Sequence, residues 1–276
     1  MTGQRPVLLT GCSTGIGRHV AEGLKKRGYR VFATVRRHED IAELGALGIE
    51  TLQLDLANSA SIHQAFATVM ALTGDELYAL FNNGAYGQAG AVEDLDRDTL
   101  REQFEVNLFG VHELTTLAIP VMRSQGFGRI IQNSSLLGYV ALKYRGAYNA
   151  SKYALEGLTD TLRLELAGSG IFVSLIEPGP IQSNFRNNAW AAFQRYIDIS
   201  HSCHNEAYRA LSERLQIEGP VVPFTLGPEA VLKCVIHALE SNRPKVRYRV
   251  TFPAHVFAYL KRVLPDRLMD RLLARI

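Results

Sequence analysis

Short apolar runs alternate along this chain with longer stretches whose apolar positions recur every three or four residues. The runs lie at 7–11, 30–35 (RVFATV), 50–54 (ETLQL), 77–82 (LYALFN), 128–133 (GRIIQN), 171–176 (IFVSLI) and 246–250 (VRYRV). They are short, rich in Val, Ile and Leu, and mostly apolar on both faces, the pattern of parallel strands covered by helices. Helical spacing fills the intervals near 15–27, 39–47, 59–71, 96–124, 146–168, 185–215 and 228–240. This alternation predicts an α/β fold on one doubly wound parallel sheet with right-handed crossovers. No repeat, low-complexity tract or Pro/Gly linker divides it, so one domain is expected over residues 1–250.

Two stretches depart from the rhythm. Residues 184–222 carry no strand pattern and interrupt the alternation late in the sheet, where insertions shape binding sites rather than cores. Residues 251–276 extend the domain as a basic amphipathic tail. A helix after Pro253 bears Phe257, Leu260 and Leu264, Pro265 breaks it, and Leu268, Leu272 and Leu273 resume the spacing. Lys261, Arg262, Arg267, Arg271 and Arg275 take other positions. Such a tail can pack on the protein or its dimer mate, attach to an anionic membrane surface, or close over a pocket formed by 184–222. The last is expected.

Composition narrows the partners. The chain of 276 residues is 47% hydrophobic and 21% charged, with a net charge of only +3 and basic residues scattered except near the C-terminus. No nucleic-acid partner is expected. Cys12, Cys203 and Cys234 are odd in number and far apart, which argues against a disulfide framework and fits a reducing cytoplasm. An apolar strand begins by residue 7, leaving no room for a signal peptide, and no run of 18 apolar residues offers a membrane span. HSCH at 201–204 has no matching second ligand pair nearby in sequence, so no metal site is expected. A Ser–His nucleophile pair there would lack its GxSxG elbow.

TGCSTGIG, residues 10–17, closes the first strand and opens the first helix. Gly11 suits the tight turn, Gly15 lets the backbone approach a pyrophosphate, and Gly17 allows close helix–strand packing. A glycine trio alone also reads as a plain structural turn. Asp55, after the third strand, can cap an adenine amino group or simply a helix. At the end of the second strand stand Arg36 and Arg37, with no acid until Glu39. An acid there would bind a ribose diol and repel a 2′-phosphate, whereas arginines hold phosphate and favour NADP(H). Two solvated surface arginines are the bland alternative.

YNASK sets Tyr148 and Lys152 four residues apart, on one helical face. Bringing a phenol from a pKa of about 10 to about 7 takes roughly 4 kcal/mol. A cation about 5 Å away supplies roughly 3 kcal/mol at an effective dielectric near 20, and an oxidised nicotinamide would add to it. The pair suits general acid/base work on an alcohol or carbonyl. Upstream, NSS at 133–135 ends the fifth strand, so Ser135 stands at the ligand-binding edge of the sheet.

With TGCSTGIG, Asp55, NNGA at 82–85, VNLFG at 106–110, QNSS, YNASK and EPGPIQS at 177–183, the chain resembles the short-chain dehydrogenase/reductase family over residues 5 to about 250. The resemblance implies a Rossmann-type sheet of about seven strands in the order 3-2-1-4-5-6-7. It implies that Asn107 holds a proton-relay water through a kinked helix, that Ser135 polarises the carbonyl, and that Tyr148 is the acid/base. Lys152 would lower the Tyr148 pKa and bind the nicotinamide ribose. The implied NADP(H) contacts are Gly11, Ser13, Thr14, Gly15, Ile16 and Gly17 at the turn, Arg36 and Arg37, then Asp55, Leu56, Asn83 and Gly84. Tyr148 and Lys152 join them with Pro178, Gly179, Ile181 and Ser183, of which Ile181 and Ser183 would touch the carboxamide. Most relatives read NNAG where this chain has Asn82-Asn83-Gly84-Ala85.

RPKVRYRV and the basic-aromatic tail resemble the branch holding 17β-hydroxysteroid and retinol dehydrogenases and bacterial aldehyde reductases, which implies a bulky apolar alcohol, ketone or aldehyde. Phe185, Trp190, Phe193 and Tyr196 are candidates for core and for pocket lining alike. A homodimer or homotetramer is expected through the helices at 96–124 and 146–168. The first carries Phe104, Leu108, Val111, Leu114 and Leu117 around its circumference. A reductase of small aldehydes and ketones, a sensor that binds NADP(H) without turnover, and an epimerase or dehydratase are the rival readings. The last lacks its expected GxxGxxG turn and larger C-terminal domain.

Overall fold

A computed structural model describes residues 4–276 except 218, 220 and 221, the last three of which belong to the 184–222 insertion. Strands β1 (Pro6–Leu9), β2 (Arg30–Val35), β3 (Glu50–Gln53), β4 (Ala79–Asn82), β5 (Gly128–Asn133), β6 (Ile171–Glu177) and β7 (Arg247–Arg249) form one sheet in the order β3-β2-β1-β4-β5-β6-β7. Every pairing is parallel. The chain leaves β1 toward β3 and returns to β4 on the other side of β1. The ends of β1 and β4 therefore diverge into a crevice, the usual ligand site of such sheets.

Alternation along the strands explains how helices cover both faces. On β1, Val7 and Leu9 face a core shared with α1 (Gly15–Lys26) and α9 (Glu229–Glu240), represented by Val20, Leu24, Val231 and Val235. Leu8 points the other way, into a core with α3 (Ser59–Thr73), α5 (Gly110–Gln125) and α6 (Gly146–Glu165). The short α2 (Ile41–Ala46) connects β2 to β3. Both faces are thus sealed, as the strand composition predicts.

Two helical expectations need correction. The segment at 96–124 is not one regular helix: α4 (Arg97–Phe104) passes through a π-helical turn, Glu105–Phe109, into α5. There the backbone comes so close to the Leu56 carbonyl that a side chain at Gly110 would collide with it. The segment at 185–215 is two helices, α7 (Phe185–Tyr196) and α8 (Asn205–Gln216). Between them Asp198 Oδ1 accepts from the Ser200 amide at 2.9 Å and stabilises a separate turn. The paired helices build a third core, with Phe193, Tyr208 and Leu215 buried against Ala89 and Ala91.

The tail breaks at Pro265, as its spacing predicts, into α10 (Phe252–Val263) and α11 (Asp266–Leu273). Ala254 and Ala258 are buried, Tyr139 Oη donates to the Ala254 carbonyl at 2.7 Å, and the Phe252 ring lies 5.0 Å from that of Phe224. Among the described residues no helix is long and apolar enough to cross a membrane.

A cluster of charges ties β6 and β7 to α6. Arg247 reaches Glu177 at 2.9 Å, Glu156 at 3.1 Å and Asp160 at 2.6 Å, and Arg249 reaches Glu177 at 3.3 Å. Glu177 is 1% exposed, so losing Arg247 leaves a carboxylate without water, with only Arg249 at 3.3 Å as a cation. Arg247→Ala is expected to cost about 3 kcal/mol, the range for breaking one side of a buried pair, seen as a lower urea midpoint. An unchanged midpoint would mean that Arg249 alone neutralises Glu177.

Candidate active site

The glycine turn folds as it does because its neighbours leave no room for side chains. Gly11 has φ +67°, and a Cβ there would lie 2.6 Å from the Gly84 Cα; one on Gly17 would strike the Gly11 carbonyl. Gly84 lies against Gly11, so the NNGA order keeps the close packing expected of two small residues. Asn83 fastens the arrangement. Its Nδ2 donates to the carbonyls of Thr10 at 3.1 Å and Gly11 at 3.0 Å, while the Thr10 hydroxyl accepts from the amides of Asn83 and Gly84.

The start of α1 is left open to an anion. Thr14, the N-cap, makes no side-chain cap, and the first turn has no acidic residue. The amides of Gly15, Ile16 and Gly17 precede the first intrahelical bond, so their dipoles face outward beside Ser13 and Thr14. Across from them, a Cβ on Gly15 would meet Ser183 at 3.0 Å. Ser183 follows Pro178, Gly179 and Ile181 in the loop after β6. In that loop the Pro178 carbonyl accepts from the Leu136 amide at 2.7 Å, and Ile181 bridges to Leu226. An uncapped helix end without carboxylates, facing a Ser-bearing loop, fits the diphosphate of a dinucleotide.

Arg36 and Arg37 differ despite their adjacency. Arg37 is held by Asp40 at 2.8 Å and Glu39 at 3.1 Å. Arg36 is exposed and makes no ion pair among the described residues. Asp55 Oδ1 accepts from the Ala57 amide at 3.0 Å, a local turn contact that leaves its second oxygen available. Leu56 is buried, packing against Gly84.

The catalytic candidates meet at the ends of β4 and β5. Tyr148 and Lys152 are both buried on α6, with the Lys152 Nζ 5.8 Å from the centre of the Tyr148 ring. Lys152 Nζ donates to the Asn133 carbonyl at 2.8 Å, and Asn133 Nδ2 donates to Asn83 Oδ1 at 2.9 Å. One chain of contacts therefore runs from the glycine turn to the lysine. Burial lowers the Lys152 ammonium to about 8, opposed by the nearby Glu156 charge. Burial likewise pushes the Tyr148 phenol up to about 12, opposed by the nearby Ser135 hydroxyl, which favours the phenolate. The near-neutral phenol expected from Lys152 together with an oxidised nicotinamide is therefore not reached by these residues on their own. The phenol has lost its water, while the ammonium is already engaged by Asn133.

Asn107 sits fully buried in the π-helical turn, and protein groups engage its whole amide. Oδ1 accepts from the Tyr86 amide at 3.1 Å; Nδ2 donates to the Tyr86 carbonyl at 2.9 Å and to Ser151 Oγ at 3.1 Å. Its side chain is a clamp, which leaves only the main-chain carbonyl for the water-holding role that the resemblance implies.

Of the four aromatic candidates, Phe185 alone lies on Tyr148, edge-on at 5.2 Å between ring centres. Phe193 and Trp190 stack in the third core, and Tyr196 bonds Glu102. Sequence reasoning missed Thr10, Asn133 and Ser151 as supports. All three lie inside the quoted motifs, but nothing in their spacing signals which backbone groups they reach.

The family profile described as short chain dehydrogenase matches residues 5–193. The chain is 41% identical over 270 residues to the uncharacterized oxidoreductase YbbO of Escherichia coli K12, covering 98% of this chain and 94% of that protein. It is 32% identical over 285 residues to 17-beta-hydroxysteroid dehydrogenase type 6 of Bos taurus, covering 98% and 87%. A short-chain dehydrogenase crystal structure from Streptomyces avermitilis superposes with a TM-score of 0.78 at 26% identity, covering 99% and 98%.

If Asn107 acts as a clamp, Asn107→Ala strands the Tyr86 amide and carbonyl and the Ser151 hydroxyl. A loss of about 2–4 kcal/mol is expected, from buried groups left without partners, and would be read by chemical denaturation. Full stability with reduced turnover would instead assign the side chain to the chemistry.

Proposed function

The chain belongs to the short-chain dehydrogenase family and is an oxidoreductase, and from that premise we propose that it transfers a hydride between NADP(H) and the carbonyl or alcohol carbon of a bulky apolar substrate. The observation that carries this reading is the buried Tyr148 phenol near enough to Ser135 for its hydroxyl to favour the phenolate, with Lys152 one helical turn on and its Nζ 5.8 Å from the centre of the phenol ring. Ser135 orients the substrate oxygen, and Tyr148 Oη gives it a proton in reduction or takes one in oxidation. Lys152 holds positive charge beside the phenol and stays anchored by Asn133. When bound, NADP(H) supplies or accepts the hydride and, in its oxidised form, adds a positive charge that favours the phenolate. Gly11–Gly17, Asp55–Leu56, Asn83–Gly84 and Pro178–Ser183 would hold it.

Arg36, without an ion pair among the described residues, supports NADP(H) over NAD(H), since a guanidinium not held by a carboxylate can bind a 2′-phosphate with two parallel hydrogen bonds. Arg37, already engaged by Asp40 and Glu39, is the helper. Phe185 over Tyr148, together with Phe224 and Phe252 at the root of the tail, supports an apolar substrate and a tail that forms one wall of its pocket. Leu100, Phe109, Tyr153 and Leu158 expose apolar surface on α4–α6, which supports pairing of two or four chains there.

Tyr148→Phe keeps the ring and removes the proton carrier. Turnover is expected to fall by at least about a hundredfold with NADPH binding by fluorescence retained; near-normal turnover would remove Tyr148 from the mechanism. Arg36→Ala is expected to weaken NADPH about ten- to a hundredfold, the worth of a charge-assisted bond, and to leave NADH nearly unchanged. Equal losses for both cofactors would deny Arg36 any part in phosphate selection.

A further inference from the structure

Three metal-ligand side chains from distant parts of the chain converge where α8 begins. Glu93 lies in the helical turn Val92–Asp94 after β4, and Cys203 and His204 end the turn that leads into α8. His204 Nε2 lies 2.5 Å and Cys203 Sγ 3.6 Å from the same Glu93 Oε1, and one donor atom of each falls within 4.8 Å of the others. Zinc–sulfur and zinc–nitrogen bond lengths imply ligand–ligand edges of about 3.3–3.6 Å in a tetrahedral site. Small side-chain rotations therefore bring all three donors onto one ion. We propose that Glu93, Cys203 and His204 bind a zinc ion, with water in the fourth position, and so clamp α8 to the body of the domain.

The donor set selects the metal. A thiolate and an imidazole favour a borderline-soft cation over magnesium or calcium, which prefer oxygen. Thiolate and carboxylate together balance the charge of a divalent ion. Lys143 lines the same shallow cleft, of about 530 Å³, with Tyr144 and His204 and opposes that charge only in part.

The backbone around the ligands is already fixed. Ser202 Oγ donates to Asp94 Oδ2 at 2.6 Å and accepts from the His204 amide at 3.0 Å, while Tyr208 Oη donates to the same Asp94 oxygen and accepts from the Ala91 amide at 2.8 Å. The His204 ring stands edge-on to Tyr144 at 5.6 Å. Little ordering is therefore required on binding. His201 is outside this set, its Nδ1 facing Asp198 at 2.7 Å.

A bare ion pair between His204 and Glu93 would use two of the three groups and leave Cys203 idle. Cobalt distinguishes the cases, because a cobalt–thiolate bond gives a near-ultraviolet charge-transfer band and an ion pair gives none. Tag-free full-length protein should take up one Co²⁺ with that band, lose it to added Zn²⁺, and bind Zn²⁺ calorimetrically at one to one with a rise in Tm. Cys203→Ser should abolish the band, and Cys203→Ser, His204→Ala and Glu93→Gln should each weaken Zn²⁺ by more than about tenfold, the least expected when even supporting contacts are lost. His201→Ala should bind as the parent does. Absence of the band and of Zn²⁺ binding in the parent would overturn the proposal. So would Zn²⁺ binding that survives Cys203→Ser unchanged or is abolished by His201→Ala.

Discussion

The buried ammonium of Lys152 is the constraint on which the rest of the site depends. A cation out of water must be matched by fixed acceptors, and its recorded partner here is the Asn133 carbonyl at 2.8 Å. Asn133 holds that position at the end of β5 because its own amide is tied to Asn83. Asn83 in turn grips the carbonyls of Thr10 and Gly11. The glycine turn is thus linked through two asparagines to Lys152. The glycine turn and α6 are joined by one chain of hydrogen bonds, although they lie more than a hundred residues apart.

The same burial that requires this network also sets its chemistry. Removing water raises the Tyr148 phenol and lowers the Lys152 ammonium, so the two groups move apart in proton affinity. Ser135 works against the rise by stabilising the phenolate. Behind them, Glu156 links the site to the charge cluster at Arg247 and Glu177. The π-helical turn at Glu105–Phe109 serves the same end from the other side, since it aims Asn107 at both polar groups of Tyr86 and at Ser151.

Outside this rigid centre, α7 and α8 pack into a core of their own, joined to the body through Ala89, Ala91 and the Asp94 contacts. Phe185 is the point where that separate unit touches the chemistry. Its ring covers Tyr148, so the size and shape admitted beside the phenol depend on how α7 sits. A metal held by Glu93, Cys203 and His204 would fasten the same unit to the body of the domain at the start of α8.

The strand set, the sheet order, the open glycine turn and the Ser135, Tyr148 and Lys152 constellation were legible in the residues. The sheet order came through the family resemblance, and the others rest on local rules: short runs apolar on both faces, a glycine needed where φ is positive, a one-turn spacing on a helix. The break between α7 and α8 was not legible, because Asp198 and Ser200 end a helix only once the third core draws the two halves apart. Nor did spacing reveal that Arg37 is paired while Arg36 has no ion pair among the described residues, that the Asn107 amide is fully engaged, or that Glu93 meets Cys203 and His204. These are matters of which side chain reaches which partner across long separations in the chain. The sequence alone determined the fold and the type of chemistry, because both follow from local patterns. Only the tertiary structure decided which polar groups are satisfied, how far burial moves each proton affinity, and which distant ligands converge, because those depend on packing.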